Sequence, residues 1–276
     1  MDRIRLIASD MDATLLDEQS QLPADFEETI HALAELGIRF APASGRPLYT
    51  LEELFPALRD ELVFIGDNGG AIRWKGQNLF TSEMSPEGWR ALNRLTREQG
   101  DIAVLCGLES AYVERPFAVH DAVLRHFYTK IEYVDRLEDV AAPADKFTIY
   151  LPQHNAQQAY DTVYASQRSI YSVAVAGECW VDIMNPGVHK GAALQTLGQL
   201  WSLPSESIMA FGDTYNDAEM LQTVRYGFLM ENGSEPLRQK VPFLAPSHRE
   251  AGVMQVLHRV LAQNGCVCPE DFIPAH

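Results

Sequence analysis

The chain has 276 residues and a mass of 30.9 kDa, and its 22 basic and 38 acidic residues leave a formal net charge of −16. This balance argues against nucleic-acid binding, which requires a basic surface, and against docking on an anionic membrane surface. A small phosphorylated metabolite stays compatible with it, because a few placed cations or a metal ion can act inside an acidic surface. With 46% hydrophobic residues, the composition is that of an ordinary globular protein.

Neither a membrane span nor an export signal is predicted. No apolar run approaches the roughly 20 residues that cross a bilayer, and acids interrupt the short apolar stretch at the N-terminus. We therefore interpret the four cysteines as reduced thiols of a cytoplasmic protein. Cys266 and Cys268 form a C-x-C pair without a second cysteine or histidine pair at metal spacing, so no metal site is assigned to them.

Strands and helices alternate in the first part of the chain. The predicted order is a strand (6–9), a helix that opens at Pro23 and is stopped by Gly37, a strand (38–43), a helix that opens at Pro47, a strand (62–65) and a tight turn (67–70). Pro42 is unexpected inside a strand, because proline donates no hydrogen bond to a sheet. The alternation predicts an α/β fold with a doubly wound, Rossmann-like parallel sheet.

The pattern changes near Ser82. A cap residue, a proline and an acid at 85–87 start a helix. The later strands alternate apolar and polar residues, which predicts an antiparallel sheet with one covered face; they lie at 147–151, 173–175 and 180–183. A turn at 185–187 ends this region, which therefore has the pattern of a separate α+β domain.

The first pattern resumes after this turn, with a helix that begins near Lys190 and a strand over 208–211. The chain is therefore predicted to have an α/β core formed by 1–83 and 187–276. An inserted α+β domain, 84–186, interrupts this core and has an ordinary domain size.

Polar residues follow the predicted core strands. In an open parallel sheet, ligands bind at the carboxyl ends of the strands. The residues in this position are Asp10 and Asp12 after the first strand, Ser44 after the second, and Asp213 and Asp217 after a late one. Converging carboxylates repel one another without a cation, and hard oxygen ligands in this number suit Mg²⁺. Lys190 and the serine hydroxyl are suited to holding phosphate oxygens.

Four sequence segments together resemble the signature motifs of the haloacid dehalogenase superfamily. They occur in the family's order and are DMDATLL (10–16), ASGR (43–46), KG (190–191) and GDTYND (212–217). An insertion between the second and third motifs is similar to that of the Cof-type phosphatases, as are the runs NGGA (68–71) and PGVHKG (186–191). The resemblance implies a phosphatase core with an inserted cap that sets substrate specificity.

The resemblance also implies roles for single residues. Asp10 would attack phosphorus and form an aspartyl-phosphate, and Asp12 would protonate the leaving alcohol and then activate water. Mg²⁺ would be held by Asp10, the backbone carbonyl of Asp12 and Asp213, with Asp217 either a ligand or a residue behind the ligands. The implied substrate-binding residues are Thr14, Ser44, Gly45, Arg46, Lys190 and Asn216.

Two positions depart from the family pattern. Ala13 stands where the family usually has glycine, and we expect a negative φ there, because an alanine at positive φ is strained by roughly 1 kcal/mol or more. His189 stands where a small polar residue is usual. It either lines the phosphate entrance and adds a pH-dependent charge, or faces solvent.

The sequence therefore predicts a Mg²⁺-dependent phosphomonoester hydrolase that acts on small metabolites such as sugar phosphates or phosphorylated cofactors. Two alternatives stay open: phosphoryl transfer between positions of one substrate, as in related mutases, and non-enzymatic binding of a phosphorylated ligand. The presence of Asp10, Asp12, Lys190 and Asp213 argues against the second alternative.

Overall fold

The computed structural model describes residues 1–276. Its strands are β1 (Asp2–Arg3), β2 (Leu6–Ser9), β3 (Arg39–Pro42), β4 (Val63–Gly66), β5 (Ala71–Trp74), β6 (Gln77–Thr81), β7 (Ile102–Gly107), β8 (Ala111–Glu114), β9 (Ile131–Val134), β10 (Ala144–Tyr150), β11 (Ser172–Val175), β12 (Trp180–Met184), β13 (Ile208–Gly212), β14 (Tyr226–Met230), β15 (Phe243–Ala245), β16 (Cys266–Val267) and β17 (Ile273–Pro274). Its α-helices are α1 (Phe26–Glu35), α2 (Leu48–Glu53), α3 (Pro86–Gln99), α4 (Asp121–Phe127), α5 (Ala156–Thr162), α6 (Lys190–Trp201), α7 (Ala218–Thr223), α8 (Glu235–Arg238) and α9 (Gly252–Ala262). None of these helices combines the length and apolar character that a membrane-spanning segment requires.

The chain forms two compact units. Unit 1 contains Met1–Gly45, Phe55–Leu79 and His189–His276, and unit 2 contains Arg46–Leu54 and Phe80–Val188. The ends of the long inserted segment therefore differ by a few residues from the predicted ends, 84 and 186. A larger difference concerns the short segment that carries α2: the sequence assigns it to the core, but it groups with unit 2.

This segment groups with unit 2 because of contacts that span a long stretch of sequence. The backbone N–H of Thr129 donates to the hydroxyl of Thr50 at 3.1 Å, although the two residues lie 79 positions apart. The Lys130 ammonium lies 5.7 Å from the centre of the Tyr49 ring, within the range of a cation–π contact. Local sequence patterns give no indication of either contact.

Unit 1 is built on the predicted doubly wound sheet. Its strand order is β17-β15-β14-β13-β2-β3, and all neighbours from β15 to β3 run parallel. Only β17 at the edge is antiparallel. Ser9 is opposite Phe211 on one side and Pro42 on the other, so the three strands β13, β2 and β3 end at the same level of the sheet. The α/β fold class is confirmed.

Pro42 is accommodated by its position in β3. The N–H groups of Arg39 and Ala43 donate to carbonyls of the β2 segment at 2.9 and 2.8 Å. Because backbone N–H groups alternate in direction along a strand, position 42 faces the opposite side, where only an isolated bridge joins Ala43 to Ile65 of β4. The missing amide proton of Pro42 therefore removes no hydrogen bond to β2.

Unit 2 contains a six-stranded sheet with its own core. Its order is β11-β12-β10-β7-β8-β9, and all neighbours are antiparallel except the parallel pair β8 and β9. The predicted helix start is confirmed, since the Ser85 hydroxyl accepts a hydrogen bond from the N–H of Gly88 at 3.0 Å and caps α3. Trp89 and Leu92 of this helix pack on one face of the sheet.

Candidate active site

The first motif leaves the sheet directly after β2. The backbone N–H of Asp10 still donates to the carbonyl of Phe211 in β13, at 3.0 Å, so the aspartate is held at the end of the parallel strands. Its side chain is buried. Asp12, two residues later, is exposed. The two aspartates of this motif therefore have different surroundings, and only Asp10 belongs to a buried cluster.

Lys190 lies at the centre of this cluster and is fully buried. Its ammonium donates hydrogen bonds to Oδ1 of Asp10 and, at 2.7 Å, to Oδ1 of Asp217. The lysine is the first residue of α6, and Nδ1 of His189 caps this helix by accepting from the N–H of Ala192 at 3.1 Å. His189 thus has a capping role, which neither sequence interpretation included.

Asp217 is held from several sides. Its Oδ2 accepts hydrogen bonds from the N–H groups of Asp213 and Thr214, at 3.0 and 3.2 Å, while its Oδ1 accepts from Lys190. A Cβ at Gly212 would lie 2.4 Å from the Cβ of Asp217, so only glycine fits before the aspartate of this motif. Both oxygens of Asp217 are therefore occupied by protein donors.

Three carboxylates converge at this point. Asp10, Asp213 and Asp217 each offer one oxygen, and these oxygens lie within 4.8 Å of one another. Oδ1 of Asp213 also accepts a hydrogen bond from the hydroxyl of Thr14, at 3.4 Å. Because two buried carboxylates with one lysine between them still carry excess negative charge beside Asp213, the donor set fits a hard divalent cation such as Mg²⁺.

The pKa values express the same excess of negative charge. Burial, together with the charges of Asp217 and Asp213, raises the pKa of Asp10 to about 8, although Lys190 acts in the opposite direction. Burial and the charge of Asp217 raise the pKa of Asp213 to about 6. Burial alone would lower the pKa of Lys190, but Asp10 and Asp217 outweigh it and raise that pKa.

The stability of the metal-free protein is expected to fall between pH 5 and pH 8. A raised carboxyl pKa favours the folded state at low pH, and this contribution is lost as the pH rises through about 6 for Asp213 and about 8 for Asp10. Each group contributes a slope of up to about 1.4 kcal/mol per pH unit. Urea unfolding in the presence of a chelator measures this profile.

The matched control for this profile is Asp213→Asn, which removes the titration near pH 6. It is expected to flatten that part of the curve. A wild-type curve that is level from pH 5 to pH 8, or identical to that of the variant, would contradict the assignment of these pKa values.

The backbone between Asp12 and Thr14 corrects one expectation. Ala13 has φ 58° and ψ 14°, in the left-handed region, so the predicted negative φ is wrong. The carbonyl of Ala13 accepts a hydrogen bond from the Asn232 side chain at 2.8 Å. Farther along the loop, the N–H of Leu16 donates to the carbonyl of Met11 at 2.9 Å. These contacts on both sides hold the loop in the strained conformation.

Ala13→Gly is expected to increase the free energy of unfolding by about 1 kcal/mol, because glycine adopts this φ without the Cβ clash. Ala32→Gly, inside α1, is a matched control with the opposite sign, because glycine in a helix costs about 0.5–1 kcal/mol. Urea unfolding of both variants measures the difference. A destabilised Ala13→Gly would show that the loop is not strained at this residue.

The remaining predicted residues divide into two groups. Ser44 and Gly45 lie just after β3 in unit 1. The N–H of Ser44 donates to the carbonyl of Ile65 at 2.9 Å, and the carbonyl of Ser44 accepts from the N–H of Asn68 at 2.9 Å. Asn216 donates through its side chain to Oδ1 of Asn68 at 3.4 Å. Arg46 groups with unit 2 rather than with these residues, so its phosphate-binding role stays a prediction.

Two asparagines at the site received no role from the sequence. Asn68 belongs to the NGGA run, and a run of this kind indicates a turn but gives no sign of contacts with other motifs. Asn232 was not identified at all. It lies 219 positions from Ala13, which it contacts, and nothing in its local sequence distinguishes it from a surface asparagine.

Comparisons with known proteins agree with this fold and site. The family model described as haloacid dehalogenase-like hydrolase matches residues 7–257. The chain is similar to the 5-amino-6-(5-phospho-D-ribitylamino)uracil phosphatase YbjI of Escherichia coli K12, at 31% identity over 94% of this chain and 96% of the relative. It is 30% identical to the HMP-PP phosphatase of Cronobacter sakazakii, over 87% of this chain and 89% of the relative.

Among solved structures, SMU.1108c from Streptococcus mutans UA159 superposes with a TM-score of 0.84 at 28% identity, covering 94% of this chain and 99% of the other. In the present chain, Asp10 and Asp213 follow two strands of the parallel sheet, and Lys190 and Asp217 lie beside them. The chain belongs to the haloacid dehalogenase-like hydrolases. Within that family it is an enzyme of the phosphatase type.

Proposed function

We propose that the protein is a Mg²⁺-dependent phosphomonoesterase that acts on a small phosphorylated metabolite through an aspartyl-phosphate on Asp10. The observation that carries this proposal is the buried group at the strand ends, in which Lys190 bonds to Asp10 and Asp217 while Asp213 lies beside them. A carboxylate that one lysine holds at the carboxyl ends of parallel strands is suited to attack on phosphorus.

In the first half-reaction, an oxygen of the Asp10 carboxylate attacks phosphorus. A phosphorus–oxygen bond to Asp10 forms as the bond to the ester oxygen breaks, and the Asp12 carboxyl gives its proton to the leaving alcohol. Lys190 restrains Asp10 through its hydrogen bond, so the nucleophile is already oriented when substrate binds.

In the second half-reaction, the Asp12 carboxylate takes a proton from water, whose oxygen attacks the same phosphorus. The bond between phosphorus and Asp10 breaks, inorganic phosphate leaves, and Asp12 again carries its proton. The exposure of Asp12 supports this role, because an acid–base group must exchange protons with water.

Asp10 and Asp213 are the side chains proposed to hold Mg²⁺, with the backbone carbonyl of Asp12 as a third protein ligand. Asp217, whose oxygens already accept three hydrogen bonds, is proposed to fix Lys190 and the Asp213 loop instead. Bound Mg²⁺ would supply positive charge that keeps both acids ionised at neutral pH and offsets the charge of the phosphoryl group. Ser44, Gly45, Lys190, Thr14, Asn216 and Arg46 are proposed to contact or surround the phosphoryl group.

The substrate class is proposed from the relatives and from unit 2. The Escherichia coli relative is named for a phosphoribitylaminouracil, and the Cronobacter relative for HMP-PP. Unit 2 has its own hydrophobic core, which supports the proposal that the inserted region forms a separate cap that selects the substrate. Phosphorylated sugars and phosphorylated cofactor precursors are therefore the first compounds to test.

The experiment is a phosphatase screen of the purified protein with Mg²⁺ over such a panel, with release of inorganic phosphate as the readout. Hydrolysis of at least one small phosphomonoester is expected, and Asp10→Asn is expected to abolish it. Recovery of an isomeric phosphate without inorganic phosphate would indicate a mutase instead. No turnover of any member would favour a protein that only binds phosphorylated ligands.

Asp213→Asn is expected to raise the Mg²⁺ concentration needed for half-maximal activity by at least about tenfold. The same variant is expected to lose most of the rise in melting temperature that Mg²⁺ gives the wild type, because ligands that bind the folded state stabilise it. Asp60→Asn, an exposed aspartate of unit 1, is the control. An unchanged response of Asp213→Asn to Mg²⁺ in both measurements would show that Asp213 is not a ligand.

A further inference from the structure

The turn that follows β4 has an uncommon backbone. Asp67, Asn68 and Gly69 have φ values of 49°, 54° and 99°, and the first two are the only adjacent pair of non-glycine residues with positive φ in the chain. Asparagine and aspartate tolerate this region better than other residues with a Cβ, but glycine adopts it more readily still. An asparagine at position 68 therefore indicates that its side chain has a use.

Asn68 contacts two of the four signature motifs. Its N–H donates to the carbonyl of Ser44 at 2.9 Å, and its Oδ1 accepts from the side chain of Asn216 at 3.4 Å. Its Nδ2 would lie 3.3 Å from a Cβ built on Gly45, so the amide packs directly against that glycine. Asn68 is also buried, and the residues around it therefore restrict its position.

The next residue of the turn contacts the third motif. Gly69 approaches the start of α6 so closely that a Cβ would lie 2.6 Å from the carbonyl oxygen of His189, directly before Lys190. The turn therefore joins the segments that carry Ser44, Asn216 and Lys190. These are the segments that the proposed function assigns to phosphate binding.

We propose that Asn68 is a positioning residue for the phosphate-binding groups of the active site, an inference that rests on the proposed function. Its side-chain amide fixes Asn216 and the 44–45 loop relative to one another. The strained backbone of residues 67 and 68 places the amide between these two segments. Asn68 acts through these neighbours, and it is not assigned a contact with the reacting atoms.

Asn68→Gly removes the side chain while it preserves the backbone conformation, so it tests the contribution of the side chain alone. Glycine keeps the left-handed conformation without strain, so the variant is expected to fold with a melting temperature equal to or above that of the wild type. The dissociation constant of inorganic phosphate in the presence of Mg²⁺, measured by calorimetry, is expected to rise about fivefold or more. KM is expected to rise with it, while kcat changes less.

Two further variants complete the test. Ser20→Gly makes the same change at an exposed residue with φ 58°, and it is expected to leave the phosphate dissociation constant unchanged. Asn216→Ala alters an exposed side chain, so this variant is expected to fold like the wild type. It is also expected to weaken phosphate binding. Adding Asn68→Gly to Asn216→Ala is expected to weaken binding by less than it does in the wild type, because both changes remove one shared contact.

Phosphate binding that is unchanged in Asn68→Gly, or weakened equally in Ser20→Gly, would overturn the positioning role. A wild type that does not bind phosphate would overturn it too. A protein whose phosphate affinity falls in Asn68→Gly but that hydrolyses no phosphomonoester would leave the positioning role intact and contradict only the proposed function.

Discussion

Lys190→Met is expected to lower the free energy of unfolding at pH 7 by about 3–5 kcal/mol, because it leaves buried carboxylates without their cation. The lysine is fully buried and bonds to both Asp10 and Asp217. Methionine matches the length of the aliphatic stem, so the change removes charge more than volume. Hydrolysis is expected to be lost as well, because the nucleophile is no longer restrained.

Urea unfolding of Lys190→Met and of Lys240→Met, an exposed lysine of unit 1, gives the comparison. The control is expected to stay within about 0.5 kcal/mol of the wild type. The deficit of Lys190→Met is expected to widen above pH 7, because Asp10 of the wild type, whose pKa is about 8, ionises there beside Lys190, whereas the variant lacks the cation that stabilises this charge. A loss below about 1 kcal/mol at pH 7 would show that the lysine is not the counter-charge of this cluster.

Asp12→Asn is expected to lower kcat for an alkyl phosphate by about 10²–10⁴-fold, the range for loss of general acid–base catalysis. The phosphorylation step is expected to slow less with an aryl phosphate, because its leaving group needs little protonation. The hydrolysis step lacks water activation with either substrate. The exposed position of Asp12 makes a large effect on stability unexpected.

Pre-steady-state and steady-state rates for one alkyl and one aryl substrate separate the two steps. Asp60→Asn, also exposed, serves as the control and is expected to retain wild-type rates. Equal slowing of phosphorylation for both substrates would contradict a proton transfer from Asp12 to the leaving group. So would a loss smaller than tenfold for the alkyl phosphate.

The central part of the site could be predicted from sequence because it depends on local features. Asp10 and Asp213 directly follow short buried strands, Ser44 lies two residues after another, and parallel strands bring their carboxyl ends to the same side of the sheet. Ser9 pairs with Phe211 on one side and with Pro42 on the other, so the strands before Asp10 and Asp213 end at the same level of the sheet, as expected. Lys190 was placed at a helix start, where α6 begins.

The conformation of Ala13 could not be predicted because it depends on distant contacts. The residue prefers negative φ when considered alone. Its left-handed conformation is stabilised by Asn232, which lies 219 positions away, and by the chain geometry between Met11 and Leu16. The roles of Asn68 and of the α2 segment were missed for the same reason.

Strand β7 was missed because its pattern lacks alternation. All six residues of Ile102–Gly107 are buried. Leu105 packs in the cluster that contains Trp89, while Val104 and Cys106 pack in the cluster on the other face. A strand covered on both faces has a continuous apolar run, which sequence periodicity alone does not separate from a helix.

The most direct test of phosphoryl transfer to Asp10 is intact-mass analysis and peptide mapping after rapid quench with an aryl phosphate and Mg²⁺. Asp12→Asn is expected to accumulate one acid-stable phosphoryl group on the peptide that contains Asp10, since its hydrolysis step is slowed. Asp10→Asn is expected to carry no label at any time point. A label on a histidine or serine, or a label that persists in Asp10→Asn, would contradict the mechanism.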